Sequence, residues 1–245
     1  MKVAYCSDLH LEFRSIDLKN EEQADVLILA GDIYLISRMQ YSLDHRFTDF
    51  MNTITSEFEH IIYVAGNHEY YDSSVYDIKK LRDAVKSYPN VHVLDTQSVT
   101  INNITFVGGT MWTDINKNDP ILKLRAPRIM NDFTVIDDIT PDYTIDAFKV
   151  FTDYVQSRKP IDVVVSHHGP SWGCISEEFK SSHYNALYVS DVDVSDVKFW
   201  IYGHLHGGNS FEQDGCQILS NARGYPAEQS FREFELKYFT IEQAQ

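Results

Sequence analysis

Short apolar blocks alternate with mixed polar stretches through the first half of the chain. Residues 3–6 form one apolar run, 25–30 a second closed by Gly31, and 61–65 a third closed by Gly66. Runs of this length, bounded by glycine or charge, predict buried strands. Phe47, Phe50, Met51, Ile54 and Phe58 recur at helical spacing over about 44–58. Val75, Ile78, Leu81 and Val85 do the same over about 74–88, ending before Pro89. Further strands are expected near 91–94, 98–101 and 104–107, with Asn102-Asn103 suited to a tight hairpin turn. Residues 111–143 show little periodicity and carry Pro120, Pro127 and Pro141, which reads as irregular chain. Ile145, Phe148, Phe151, Tyr154 and Val155 predict a helix over 144–157. Strands follow at 161–165 and 199–202, then two at 217–219 and 234–241 that are expected to run antiparallel.

Buried strands alternating with helices imply an α/β fold whose mixed sheets are covered on both faces. In such sheets, ligand sites gather beyond the carboxyl ends of the strands. Charged and polar clusters occupy those ends here: Asp8-Leu9-His10, Gly31-Asp32, Gly66-Asn67-His68, Ser166-His167-His168 and Gly203-His204-Leu205-His206.

Composition narrows the picture. A length of 245 residues, 43% of them hydrophobic, suits one core, and no linker, repeat or low-complexity tract divides residues 1–245. No segment approaches the ~18–20 apolar residues that span a bilayer, and no signal-peptide core follows Met1. Cys6, Cys174 and Cys216 are too few and too scattered for a disulfide framework or a zinc site. A cytoplasmic protein is the expectation. The formal net charge of −15 repels polyanions, which disfavours long DNA or RNA as a partner and leaves small phosphoesters open.

Asp, His and Asn side chains are donors for divalent transition metals. Asp8, His10, Asp32, Asn67, His167, His204 and His206 make seven donors, too many for one ion and suited to two ions sharing a carboxylate. Two metals ~3.5–4 Å apart form the clamp used in phosphoester hydrolysis: a water between them becomes hydroxide near neutral pH and attacks phosphorus in line. His68, beside Asn67, is placed to protonate the leaving oxygen as a catalytic residue.

These motifs, in this order from residue 8 to residue 206, resemble the calcineurin-like metallophosphoesterases. The resemblance rests on Asp8-Leu9-His10, Gly31-Asp32, Gly66-Asn67-His68-Glu69, His167 and Gly203-His204-Leu205-His206. It implies a four-layered α/β/β/α sandwich. It also implies one metal held by Asp8, His10, Asp32 and His206 and another by Asp32, Asn67, His167 and His204, with Asp32 bridging. His167 is preferred to His168 because it comes first after its strand. Mn²⁺ is the favoured metal, with Fe or Zn²⁺ also suited to the donor set.

One departure is informative. Family members acting on phosphoproteins continue the second motif as Gly-Asp-x-x-Asp-Arg-Gly, whereas this chain reads Gly31-Asp32-Ile33-Tyr34-Leu35-Ile36-Ser37. The usual partner of His68 and a phosphate-gripping arginine are both missing. The reading is therefore a hydrolase of small phosphoesters, with nucleotides (a monophosphate, cyclic phosphate or dinucleotide) favoured. The alternatives are a phosphoprotein phosphatase, a nuclease, or a non-catalytic metal-binding scaffold. Asn67, His168, Arg223 and Tyr70 are the candidate substrate contacts, with Tyr71 beside Tyr70 able to stack on a ring.

Overall fold

In the computed structural model, residues 1–39 and 44–242 are described. The first sheet is built from β1 (Lys2–Cys6), β2 (Val26–Ala30), β3 (His60–Val64), β4 (Val91–Val93) and β11 (Lys237–Thr240). Its order is β11-β1-β2-β3-β4, parallel except for β11. The second comprises β5 (Gln97–Ile101), β6 (Ile104–Gly109), β7 (Ile161–Ser166), β8 (Val197–Tyr202), β9 (Phe211–Gln213) and β10 (Cys216–Ser220). Its order is β5-β6-β7-β8-β10-β9, with β6, β7, β8 and β10 parallel and antiparallel strands at both edges.

Alternation along each strand builds the layers. Val3, Tyr5, Val26, Ile28, Ile62 and Val64 meet Phe106, Val163, Val165 and Ile201 between the two sheets. The opposite face of the first sheet (Ala4, Cys6, Leu27, Leu29, Ile61 and Tyr63) packs with Phe50, Met51 and Ile54 of helix Arg46–Glu57 and Leu81 and Val85 of helix Ile78–Val85. Val107, Val164, Trp200 and Tyr202 do the same for the second sheet, against Phe151 and Val155 of helix Pro141–Gln156. Helices thus cover both outer faces of a two-sheet sandwich, the α/β/β/α fold. Cys6, Cys174 and Cys216 are free and buried. Among the described residues, no helix is long and apolar enough to cross a membrane.

Two expectations need correction. Residues 111–143 are not irregular throughout: helices run over Pro120–Ile129 and Asp132–Val135. Pro120 and Pro141 start helices rather than break them. Each sits in the first turn, where no N–H partner is needed, behind a capping side chain: Asp119 accepts from the Ile121 and Leu122 amides, and Thr140 from that of Tyr143. The strand at 217–219 is β10, which pairs antiparallel with β9 but runs parallel to β8 on its other edge. The intervening β9 escapes notice at three residues; its hairpin with β10 turns at Asp214 and Gly215, both at positive φ.

Candidate metal centre

The parallel strands of both sheets deliver their carboxyl ends to one seam. Asp8 and His10 follow β1, Asp32 follows β2, Asn67 and His68 follow β3, His167 follows β7, and His204 and His206 follow β8. Hydrogen bonds tie the strand ends together there, one within the second sheet and the next across to the first. Gly203 N–H donates to the His167 carbonyl at 3.0 Å, and His204 N–H to the Asp8 carboxylate at 3.1 Å. Asp8, His10, Asp32 and His204 have φ of 52°, 45°, 57° and 65°. Aspartate and histidine tolerate this left-handed region better than most residues, at a cost of ~1–2 kcal/mol each. Such concentrated strain is typical of functional sites.

Glu69, the residue after the Asn67-His68 pair, braces this region from beneath. Its buried carboxylate accepts from the amides of Asp32, Ile33 and Gly66 and from the Tyr63 hydroxyl, at 2.7–2.9 Å. Burial and the Asp32 charge push it up to about 7.

The donor atoms face one another in a way that requires positive charge between them. His167 Nδ1 donates to the Ala30 carbonyl at 2.9 Å, which turns Nε2 toward Asn67 Oδ1 at 2.9 Å and Asp32 Oδ1 at 3.3 Å. The Asn67 amide is fixed in that sense because its Nδ2 donates to Asp132 at 2.9 Å. On the other side, Glu12 accepts from His10 Nδ1 at 3.0 Å and Glu228 from His206 Nδ1 at 2.7 Å. The two Nε2 atoms are left 3.3 Å apart, with Asp8 Oδ1 3.5 Å from that of His206. His204 Nε2 is buried with no hydrogen-bond partner. Asp8, His10 and His206 form one compact donor group, Asp32, His167 and His204 another, and His10, Asp32 and His68 a third. A cation, or a proton in its absence, answers each of these confrontations, so the residues fit a pair of metal ions.

The electrostatics agree. Burial works to raise the Asp8 and Asp32 carboxyls, but the surrounding histidines outweigh it and hold both below the usual range. Burial lowers His167 and His206 less than the neighbouring carboxylates raise them, to about 10 and about 9 respectively. Burial and the adjacent His168 and His167 keep His204 neutral, the form that ligates metal.

His68 lies at the edge of this cluster. Its Nδ1 donates to Glu12 at 3.2 Å, the Tyr225 hydroxyl is 3.1 Å from Nε2, and its ring stacks on Tyr71 with centroids 4.1 Å apart. Burial disfavours its charged form, yet Asp32 and Glu12 together raise its pKa. Glu12 thus occupies the partner role left vacant in the second motif.

A cavity of about 540 Å³ opens above the cluster, with Asp32, Asn67, His68, His204 and His206 on its floor. Of the candidate substrate contacts, only Asn67 reaches it. Arg223 donates to the carbonyls of Leu9, Arg14 and Ser15 and lies 4.0 Å over the Phe231 ring, so it is a structural tie. Tyr70 is buried in the core, with Trp112 beside it, and Tyr71 lines the cavity instead. His168 is buried between Trp112 and His204, away from the cavity wall, and burial with the His167 charge pushes it down to about 3. The sequence offered no periodic or motif signal for Glu12, Asp132, Tyr225 or Glu228, which reach the site from the stretch after β1, the start of helix Asp132–Val135 and a single turn after β10.

A family model described as calcineurin-like phosphoesterase matches residues 1–208. The chain is 26% identical over 261 residues to uncharacterized protein L509 of Acanthamoeba polyphaga mimivirus, with 92% of each covered. Among solved structures it is similar to the phosphopantetheinyl hydrolase PptH from Mycobacterium tuberculosis. There the TM-score is 0.74 at 15% identity, over 98% of this chain and 96% of that one, a likeness of fold.

Proposed function

The chain belongs to the calcineurin-like phosphoesterase family of metal-dependent hydrolases, and on that premise we propose that it hydrolyses a small nucleotide phosphoester at a centre of two divalent ions. The observation that carries this reading is the unpartnered, buried Nε2 of His204, set beside donor atoms that confront one another across the seam. Asp8, His10, Asp32 and His206 would hold one ion, and Asp32, Asn67, His167 and His204 the other, with Asp32 common to both. Nitrogen and oxygen donors without thiolate suit Mn²⁺ first, and Fe or Zn²⁺ as well. When bound, the ions supply Lewis-acid polarisation of the phosphoryl oxygens and activation of water.

The chain's own residues supply the remainder. His68 holds a proton on Nε2 for the leaving oxygen, and Glu12 stabilises the charged imidazole through Nδ1. The Tyr225 hydroxyl sits where it keeps Nε2 oriented before substrate arrives. Tyr71, Tyr188 and Tyr225 present rings along the cavity, which supports a monophosphate, cyclic phosphate or dinucleotide as substrate. The −15 charge argues against long nucleic acid. Beyond residue 208, β9, β10 and β11 complete both sheets, which supports residues 1–245 as one domain. The three free, buried cysteines favour a cytoplasmic setting.

The test is direct. Protein stripped of metal and reloaded with two equivalents of Mn²⁺ should release p-nitrophenol from p-nitrophenyl phosphate, its bis ester, or both, and a chelator should abolish the release. The ratio of the two rates separates monoesterase from diesterase. No release from either would overturn the reading.

A further inference from the structure

The walls of the cavity differ from its floor. Above the donor cluster they are formed by Met130, Ile175, Phe179, Tyr184, Tyr188 and Leu205, and the polar groups among them are neutral side chains such as Ser176, Ser182 and Asn185. Among the described residues, no arginine or lysine lines the cavity; its charged side chains are acidic or imidazole, on or beside the floor. Asp132 is one of them, and it already accepts from Asn67 and from the Tyr71 hydroxyl. Phe179 and Tyr184 stay 57% and 37% exposed at the mouth, an apolar surface that a ligand would cover.

We propose that these walls receive the non-reacting arm of the phosphoester, and that this arm is an uncharged aromatic group such as a nucleobase or an aryl ring. The inference rests on the phosphoesterase reading and deepens it. A second phosphate or a carboxylate on the arm would lose its water shell with no cationic side chain on the walls to replace it, beside the Asp132 carboxylate that repels it. A neutral ring instead gains apolar contact with the methionine, isoleucine and aromatic side chains, and at about 540 Å³ the space matches a small-molecule site. Polyphosphate dinucleotides therefore drop out of the substrate class, while nucleoside monophosphates and cyclic nucleotides stay in it.

Non-hydrolysable phosphonates separate the arm from the chemistry. Methylphosphonate, phenylphosphonate and 4-phosphonobenzoate present the same anchoring group and differ only in the arm. Titrated calorimetrically into the Mn²⁺-loaded protein, phenylphosphonate should bind about tenfold or more tighter than methylphosphonate, the scale of burying an aromatic ring. The added carboxylate of 4-phosphonobenzoate should remove that gain. Phe179→Lys, a change at an exposed ring, should reverse the order of the two aryl ligands by placing a cation at the mouth. Equal binding of the methyl and phenyl ligands would overturn the inference, and so would undiminished binding of 4-phosphonobenzoate by the unaltered protein. Ester turnover without this ranking sinks the inference alone. Absence of both turnover and phosphonate binding sinks the phosphoesterase reading with it.

Discussion

Glu12 carries two imidazoles on one carboxylate: its Oε1 lies 3.0 Å from His10 Nδ1 and 3.2 Å from His68 Nδ1. Burial would raise its pKa, but the hydrogen bonds from both rings hold it below the usual range. One side chain thus orients a candidate metal ligand and the candidate proton donor together. His68→Ala should retain both metals while turnover falls by about 10²–10⁴-fold, the scale of general acid catalysis. Glu12→Gln should cost about 10–100-fold in metal affinity or turnover, the usual effect of removing a carboxylate behind a ligating histidine. Metal content by elemental analysis and steady-state rates distinguish the two; metal loss in His68→Ala would reassign that residue to the ligand set. Asp32→Asn should lose both metal and activity, because Asp32 faces both donor groups. Glu12 was not legible in the sequence. The missing Asp and Arg after Asp32 showed that the usual partner of His68 was absent, but only the meeting of the loops after β1 and β3 reveals its replacement.

At the scale of elements, the site depends on how closely neighbouring strand ends approach. Gly31 has φ of 89°, and a side chain on it would collide with His167. A Cβ on Gly66 would collide with the Asp32 carboxylate and crowd the His167 ring. Gly66→Ala should therefore displace Asp32 and destabilise the fold by about 1–3 kcal/mol, as overpacking does. Thermal melting with and without Mn²⁺ checks it: the variant should melt lower and gain less from metal, and an unchanged metal-induced shift would mean that the loop yields freely. Most elements were readable because strands buried on both faces, such as β2, are apolar at every position, and because amphipathic helices keep their spacing. What escaped was set by local backbone chemistry rather than periodicity. The helix at Pro120–Ile129 starts on a capped proline, and β9 is only three residues long. The ligand motifs were legible because each lies immediately beyond its strand. Their assembly into shared donor groups depends on the seam between sheets, which no single motif encodes.

For the molecule as a whole, the clustered donors make stability and metal binding respond to pH in opposite directions. In the metal-free protein, His167 and His206 are raised from about 6.5 to about 10 and about 9, so their protonated forms favour the folded state. That contribution is complete below about 6.5 and is lost as pH rises through about 9 to 10. The depressed Asp8 and Asp32 act at the other end, contributing above the ordinary carboxylate range and failing on acidification. The metal-free protein should accordingly melt at progressively lower temperature from pH 7 to pH 9.5. Bound metal must displace the same imidazole protons, so its affinity rises with pH, and the gap between loaded and metal-free melting temperatures should widen over that interval. Calorimetry in buffers of differing ionisation enthalpy gives the matching observable: metal binding near neutral pH should release protons. A metal-free melting temperature that stays flat or rises above pH 7, or a metal-induced shift that does not change with pH, would show that these histidines are not the groups whose protons a metal ion displaces.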